Sequence, residues 1–277
     1  MSWWGKLIGG YFGFMLGGPL GALLGAAVGH GFDRGMRQMK EGVLPPPGDQ
    51  ERVQTAFFTA TFSVMGHLAK ADGQVTRTEI RFAEAVMAQM NLSGEMRKTA
   101  VRLFTEGKAS DFPLDDVLDQ FRREVGRRRN LLRMFVEILI QAAYGDGSLS
   151  NIEEQILLRI CRRLGIAEYE FRILEKMVGA QVRFRQQAGQ GAGARGGGAY
   201  RPAPAGPSLD DAYAALGLSR NATDAEVKKA YRRLMSQHHP DKLVAKGLPE
   251  EMMKVAAQKT HEIKQAYEII KERRGIR

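Results

Sequence analysis

From Leu7 through Phe32 the chain carries no Asp, Glu, Lys or Arg, and glycine recurs at every fourth position: Gly5, Gly9, Gly13, Gly17, Gly21, Gly25 and Gly29. A helix over Leu7–Gly29 is roughly 34 Å long, enough to cross a bilayer's hydrocarbon core. In water each glycine costs a helix about 1 kcal/mol relative to alanine. In lipid the same glycine stripe lets two helix backbones approach closely. The pattern predicts one transmembrane helix over residues 7–32, self-associating as a homodimer through its glycine face, after a short N-terminus of residues 1–6. Trp3, Trp4 and Tyr11 suit an interface, and Pro19 suits a kink. A cleaved signal peptide, a glycine-rich soluble tail and a pore-type glycine zipper are the competing readings. Lys6 is the only basic side chain before the span, whereas Arg34, Arg37 and Lys40 follow it. The excess of positive charge on the C-terminal side puts residues 1–6 in the periplasm and the bulk of the chain in the cytoplasm of a single-pass inner-membrane protein.

Residues 33–50, with Pro45-Pro46-Pro47-Gly48, form a juxtamembrane linker. Residues 51–187 read as helical throughout. Phe57, Phe58, Phe62, Met65 and Leu68 mark one amphipathic helix, and Ile80, Ala83, Val86, Met87 and Met90 a second. Leu131–Ala143 and Ile152–Leu164 mark two more, so the fold class is all-α. An internal repeat lies inside this region. Ala69, Asp72, Gly73, Thr76 and Glu79 recur as Ala143, Asp146, Gly147, Ser150 and Glu153. Each copy is a helix, an Asp-Gly turn and a Thr/Ser-x-x-Glu capping box opening the next helix. Two readings of Asp72, Glu79, Asp146 and Glu153 fit. They make turns and caps, or symmetry brings the carboxylates together around a hard cation.

A net charge of +10 favours acidic partners. The arginines at 122–123, 127–129 and 162–163 read as solvated helix surface near an anionic membrane. No nucleic acid is expected as a partner, because no aromatic-interleaved RNA-binding motif or zinc finger accompanies them. The single cysteine, Cys161, falls in an apolar helical run and reads as a buried structural thiol. No phosphate-binding loop or nucleophile–base pairing is present, so the chain reads as no enzyme, with no cofactor.

Residues 188–208 are Gly/Ala-rich and then Pro-rich, a flexible linker with a reach of about 25 Å that lets the C-terminal segment search around its tether. In residues 209–277, Thr223 and Glu226 form a capping box, and Val227, Ala230, Tyr231 and Leu234 make an apolar stripe. Lys228, Lys229, Arg232 and Arg233 lie off that stripe. Pro240 ends the helix close to His239, in the tripeptide His239-Pro240-Asp241. A second helix comes after it, with its stripe on Val255, Ala256, Ile263, Ala266, Tyr267 and Ile270.

These residues, with Asp211-Ala212-Tyr213 and Leu216-Gly217-Leu218 ahead of them, resemble the J-domain of Hsp40 (DnaJ-type) co-chaperones; Thr260 stands where many J-domains carry a core Phe. The Asp-Gly repeat over 51–187 resembles the TerB-like (tellurite-resistance) domain. The order of anchor, TerB-like domain, linker and J-domain resembles the membrane-anchored DnaJ-like co-chaperones of Gram-negative bacteria. The resemblance implies a helical J-domain hairpin with short flanking helices and a DnaK-type Hsp70 partner. Lys228, Lys229, Arg232 and Arg233 dock that partner, while His239, Pro240 and Asp241 activate its ATPase. It further implies envelope-stress or capsule-synthesis signalling, and a metal proposed at the acidic positions of the TerB-like repeat. The alternative is a membrane scaffold or sensor of metal or envelope stress, with the J-domain as a secondary recruitment arm.

Overall fold

The computed structural model describes residues 19–21, 23, 49–71, 83–88, 90, 92, 94–144, 148–191 and 208–276. Among these residues the regular structure is helical: α1 (Asp49–Ala69), α2 (Gly94–Gly107), α3 (Leu114–Val125), α4 (Arg129–Ala143), α5 (Asn151–Leu164), α6 (Glu168–Gly191), α7 (Leu209–Ala215), α8 (Asp224–His238), α9 (Pro240–Val244) and α10 (Met253–Arg274), with a 3-10 turn at Glu250–Met252. Residues 83–88 are also helical, with Ala83, Val86 and Met87 buried as their apolar spacing requires. No described helix is long and apolar enough to cross a membrane. Most of the 7–32 segment lies outside the described residues, and with it Gly5, Gly9, Gly13, Gly17, Gly25 and Gly29. Gly21 is helical, and the neighbouring Leu20 is buried, its N–H donating to Gln120 Oε1 at 2.7 Å.

Helix α1 is the centre of the first unit. After its acidic first turn it is buried on every side from Ala56 to Gly66, and it packs against α2, α3 and α4. A helix enclosed all round cannot be a simple amphipathic surface helix. Its Phe57 ring meets Phe121 of α3 and Phe135 of α4, with centroids 5.8 and 6.2 Å away, and the latter two rings lie 4.5 Å apart. The α1–α2 contact is closer still. A Cβ on Gly66 would stand 2.0 Å from the Phe104 carbonyl oxygen, and one on Gly107 would stand 1.8 Å from the Ser63 carbonyl oxygen. The backbones touch, and only glycine fits at either crossing.

Surface ion pairs tie α3 to α5. Asp115 takes both Arg159 and Arg163, and Asp119 takes Arg163. The arginines at 162–163 are therefore partly engaged within the bundle, while Arg123, Arg127 and Arg129 remain exposed. Cys161 is buried as expected, and that burial, with Glu170 nearby, pushes its thiol pKa up to about 12.

Helices α7, α8 and α10 form the second unit. Val227, Ala230 and Leu234 are buried against Val255, Ala256, Ile263, Ala266 and Ile270, and Tyr231 stacks on Tyr267 with centroids 4.2 Å apart. Thr260 is half-buried, and its hydroxyl donates to Ala257 O at 2.8 Å. Arg274, near the end of α10, closes the unit. It donates to Ala222 O at 2.7 Å, to Asp224 Oδ1 at 2.9 Å and to Arg220 O at 2.9 Å, with its guanidinium over the Tyr213 ring.

The second unit is packed on the first, so it is not the freely searching module that the 188–208 linker suggests. Helix α6 itself runs to Gly191, four residues into that stretch. Gln181 of α6 donates to Ala215 O, and Arg183 pairs with Asp211 at 3.1 Å. Gly247 (φ +95°) lies so close to Val53 of α1 that a Cβ there would come within 2.7 Å of its Cγ1. Composition reveals a linker's flexibility, but not the surfaces that the linked units offer each other.

Gly66→Ala is expected to destabilise the bundle by about 1–3 kcal/mol or more, since the obstacle is backbone that cannot rotate away. A urea melt followed by helical circular dichroism reads the loss.

Candidate functional site

The site begins at the end of α8. Thr223 caps this helix: its hydroxyl accepts from the Glu226 N–H, and Glu226 accepts from the Thr223 N–H at 2.7 Å. The cap sets the helical register. With the stripe Val227, Ala230 and Leu234 turned into the core, Lys229, Arg232 and Arg233 stand exposed and Lys228 is half-buried. The Lys229 charge also acts on Glu226 of the cap, and Lys229, Arg232 and Arg233 face outward as one basic patch.

His239 ends α8 in an extended conformation, φ −59° and ψ 122°, as a residue before proline must. Pro240 then serves as the first residue of α9, where its missing N–H is no loss. The stretch after His239 is a short helix, fastened by Leu243 N–H to His239 O at 3.1 Å and Ala245 N–H to Asp241 O at 2.9 Å. Leu243, Leu248 and Met252 are buried beneath it. Lys242 Nζ donates to Ser236 Oγ at 2.9 Å across the turn. On this support His239 and Asp241 project into solvent, their side chains 47% and 84% exposed, with Nδ1 3.9 Å from Oδ2. The tripeptide is polar, rigid and accessible. It is suited to recognition by a partner.

The residue before it behaves oppositely. His238 is buried, with Nε2 3.5 Å from Glu137 Oε1 of α4. Lys259 of α10 reaches the same carboxylate, Nζ to Oε2, at 3.1 Å. Burial lowers the His238 pKa, and the Glu137 charge opposes this only in part. Burial raises that of Glu137, but His238, Lys259 and Arg133 outweigh it and leave the carboxyl below its ordinary value. Glu137 is therefore an ionised group in the interior, balanced by Lys259. It sits in an apolar helical run, and no sequence pattern marks it out.

Of the four acidic repeat positions, Asp72, Glu79 and Asp146 lie outside the described residues. Glu153 does what a capping box requires: its carboxylate accepts from the Ser150 N–H at 2.9 Å, and the Ser150 hydroxyl accepts from its N–H at 3.2 Å. No cluster of three metal-ligating side chains occurs among the described residues.

Comparison with known proteins assigns each part of the chain. Residues 1–39 match the family model of the co-chaperone DjlA transmembrane domain, residues 58–176 that of the tellurite resistance protein TerB, and residues 211–275 that of the DnaJ domain. The chain is 47% identical over 282 residues to the co-chaperone protein DjlA of Coxiella burnetii, covering all of both chains. It is 46% identical over 279 residues to that of Photobacterium profundum, covering 99% of this chain and 100% of the relative. The chain belongs to the DjlA co-chaperone family. No solved structure matches. The α7–α10 unit is thus a J-domain, the bundle around α1 is a TerB domain, and a transmembrane domain precedes them.

Thr223→Ala is expected to cost the J-domain about 1 kcal/mol through loss of the cap. Hydrogen exchange at the α8 amides should show the first turn fraying before the rest of the helix.

Proposed function

We propose that this chain recruits a DnaK-type Hsp70 to the inner membrane and stimulates its ATPase through His239, Pro240 and Asp241. Lys228, Lys229, Arg232 and Arg233 dock the partner's acidic surface. The glycine face of a single span, with its N-terminus in the periplasm, joins two copies. ATP is bound and cleaved on the partner, and envelope-stress or capsule-synthesis signalling is the setting.

One observation carries the reading. The exposed basic face of α8 leads directly to a rigid turn that presents one imidazole and one carboxylate to solvent. Exposed cations on a helix steer an acidic partner and give salt-dependent affinity. A proline-fixed turn loses little entropy when it is bound. Both are what an activator of another protein's active site needs, and neither requires chemistry of its own.

The test is single-turnover ATP hydrolysis by a DnaK-type Hsp70 with the full chain in lipid nanodiscs. His239→Gln is expected to abolish stimulation while circular dichroism stays unchanged; stimulation that survives in a folded variant overturns the role of the turn. Replacing Lys229, Arg232 and Arg233 together by Glu is expected to weaken the apparent affinity at least about tenfold at low salt. That gap should narrow as salt rises, because exposed charges are screened.

A further inference from the structure

Three charged or ionisable side chains from two domains meet out of water at the α4–J-domain contact: Glu137 from the TerB domain, and His238 and Lys259 from the J-domain. Their side chains are 2%, 5% and 7% exposed. Met134, Ile138 and Gln141 on α4 and Val255, Gln258 and Glu262 on α10 surround them. Glu137 is paired entirely across the contact, by Lys259 and His238 of the other domain, and that mutual pairing makes the burial tolerable.

We propose that Glu137 is a positioning residue for the J-domain's activating turn. By pairing with Lys259 and His238 it docks the J-domain on α4 and holds the last turn of α8, so that His239 follows from a fixed end and faces outward with the basic patch. His238 is the residue immediately before His239, and α9 begins one residue later, so whatever fixes His238 fixes the start of the turn. The docked pose leaves Lys229, Arg232, Arg233, His239 and Asp241 exposed. It presents the partner-binding face and does not cover it.

The cluster also makes docking sensitive to acid. The groups facing His238 are Glu137 and Arg133 of α4 and Lys259 of α10, with Arg133 itself paired to Glu170 of α6. An undocked His238 titrates at its ordinary value near 6.5, and the docked one below it. Above pH 6.5 neither form takes a proton, and docking is at full strength. Below it the undocked form alone gains a proton, and docking weakens as the pH falls toward the docked value.

The proposal rests on the reading that the turn activates Hsp70, so the experiment has one arm independent of that reading. Spin labels on cysteines replacing the exposed Val101 of α2 and Lys246 of the J-domain report the distance between domains. The full chain is held in nanodiscs and diluted with unlabelled copies; Cys161 is buried and stays unlabelled. A single narrow distance is expected at pH 8. Glu137→Gln should lower the docked-to-undocked ratio on the order of a hundredfold, because a buried Lys259 is left without its counter-charge. Should that variant misfold, Lys259→Met removes the same pair from the other side. At pH 5.5 the unmodified cluster should show a broadened distribution, and His238→Gln should not. An unchanged distance in both pair variants overturns the clamp. In the ATPase arm, Glu137→Gln should raise the concentration for half-maximal stimulation several-fold and leave the maximum unchanged. A widened distance with unaltered half-maximal concentration overturns the positioning role. If the parent chain stimulates no Hsp70 at all, the proposed function fails, while the distance arm still decides the clamp.

Discussion

An ionised carboxylate without water must be answered by a cation, and in this molecule the cation comes from another domain. Glu137 lies on the middle of α4, and Lys259 and His238 reach it from α10 and α8. Taking two charges into the interior costs several kcal/mol each, and removing one partner of such a pair typically costs about 3–5 kcal/mol. The pair adds little as glue, but it makes every alternative placement of the J-domain poor. The Arg183–Asp211 pair and the fit of Gly247 on Val53 select the same pose.

The TerB domain can act as a platform because its own centre leaves little room for adjustment. Helix α1 is enclosed by α2, α3 and α4, and its backbone touches that of α2 at Gly66 and Gly107. Close-packed interiors transmit displacement and do not absorb it. A J-domain fixed to α4 and α6 is therefore fixed relative to the whole bundle. Its exposed basic face then has a defined direction with respect to the bundle that carries it.

Much of the site was legible in sequence because its determinants are local. The Thr223–Glu226 box, the i, i+3, i+4, i+7 stripe and the proline after His239 each act over a few residues, and each is found where its chemistry puts it. The same holds for the Ser150–Glu153 box in the second repeat, where the carboxylate serves as a helix cap. The features that sequence does not reveal depend on distant groups. Pro240 starts a helix as well as ending one, and that depends on Leu243, Leu248 and Met252 finding a core beneath it. The Arg274 clasp joins groups about fifty residues apart, and an arginine in a basic tail gives no hint of it.

The amino-acid pattern by itself determined that the chain is helical, where its helices are capped and which face of α8 carries charge. Periodicity, capping and proline chemistry act within one or two turns and need no neighbour. Only the tertiary structure decided that the J-domain is seated and not adrift, and that Glu137, which stands in an apolar run with nothing to distinguish it, is the residue that seats it. A buried charge shows its purpose only when its partner is in place, and the partners of Glu137 lie more than a hundred residues away along the chain.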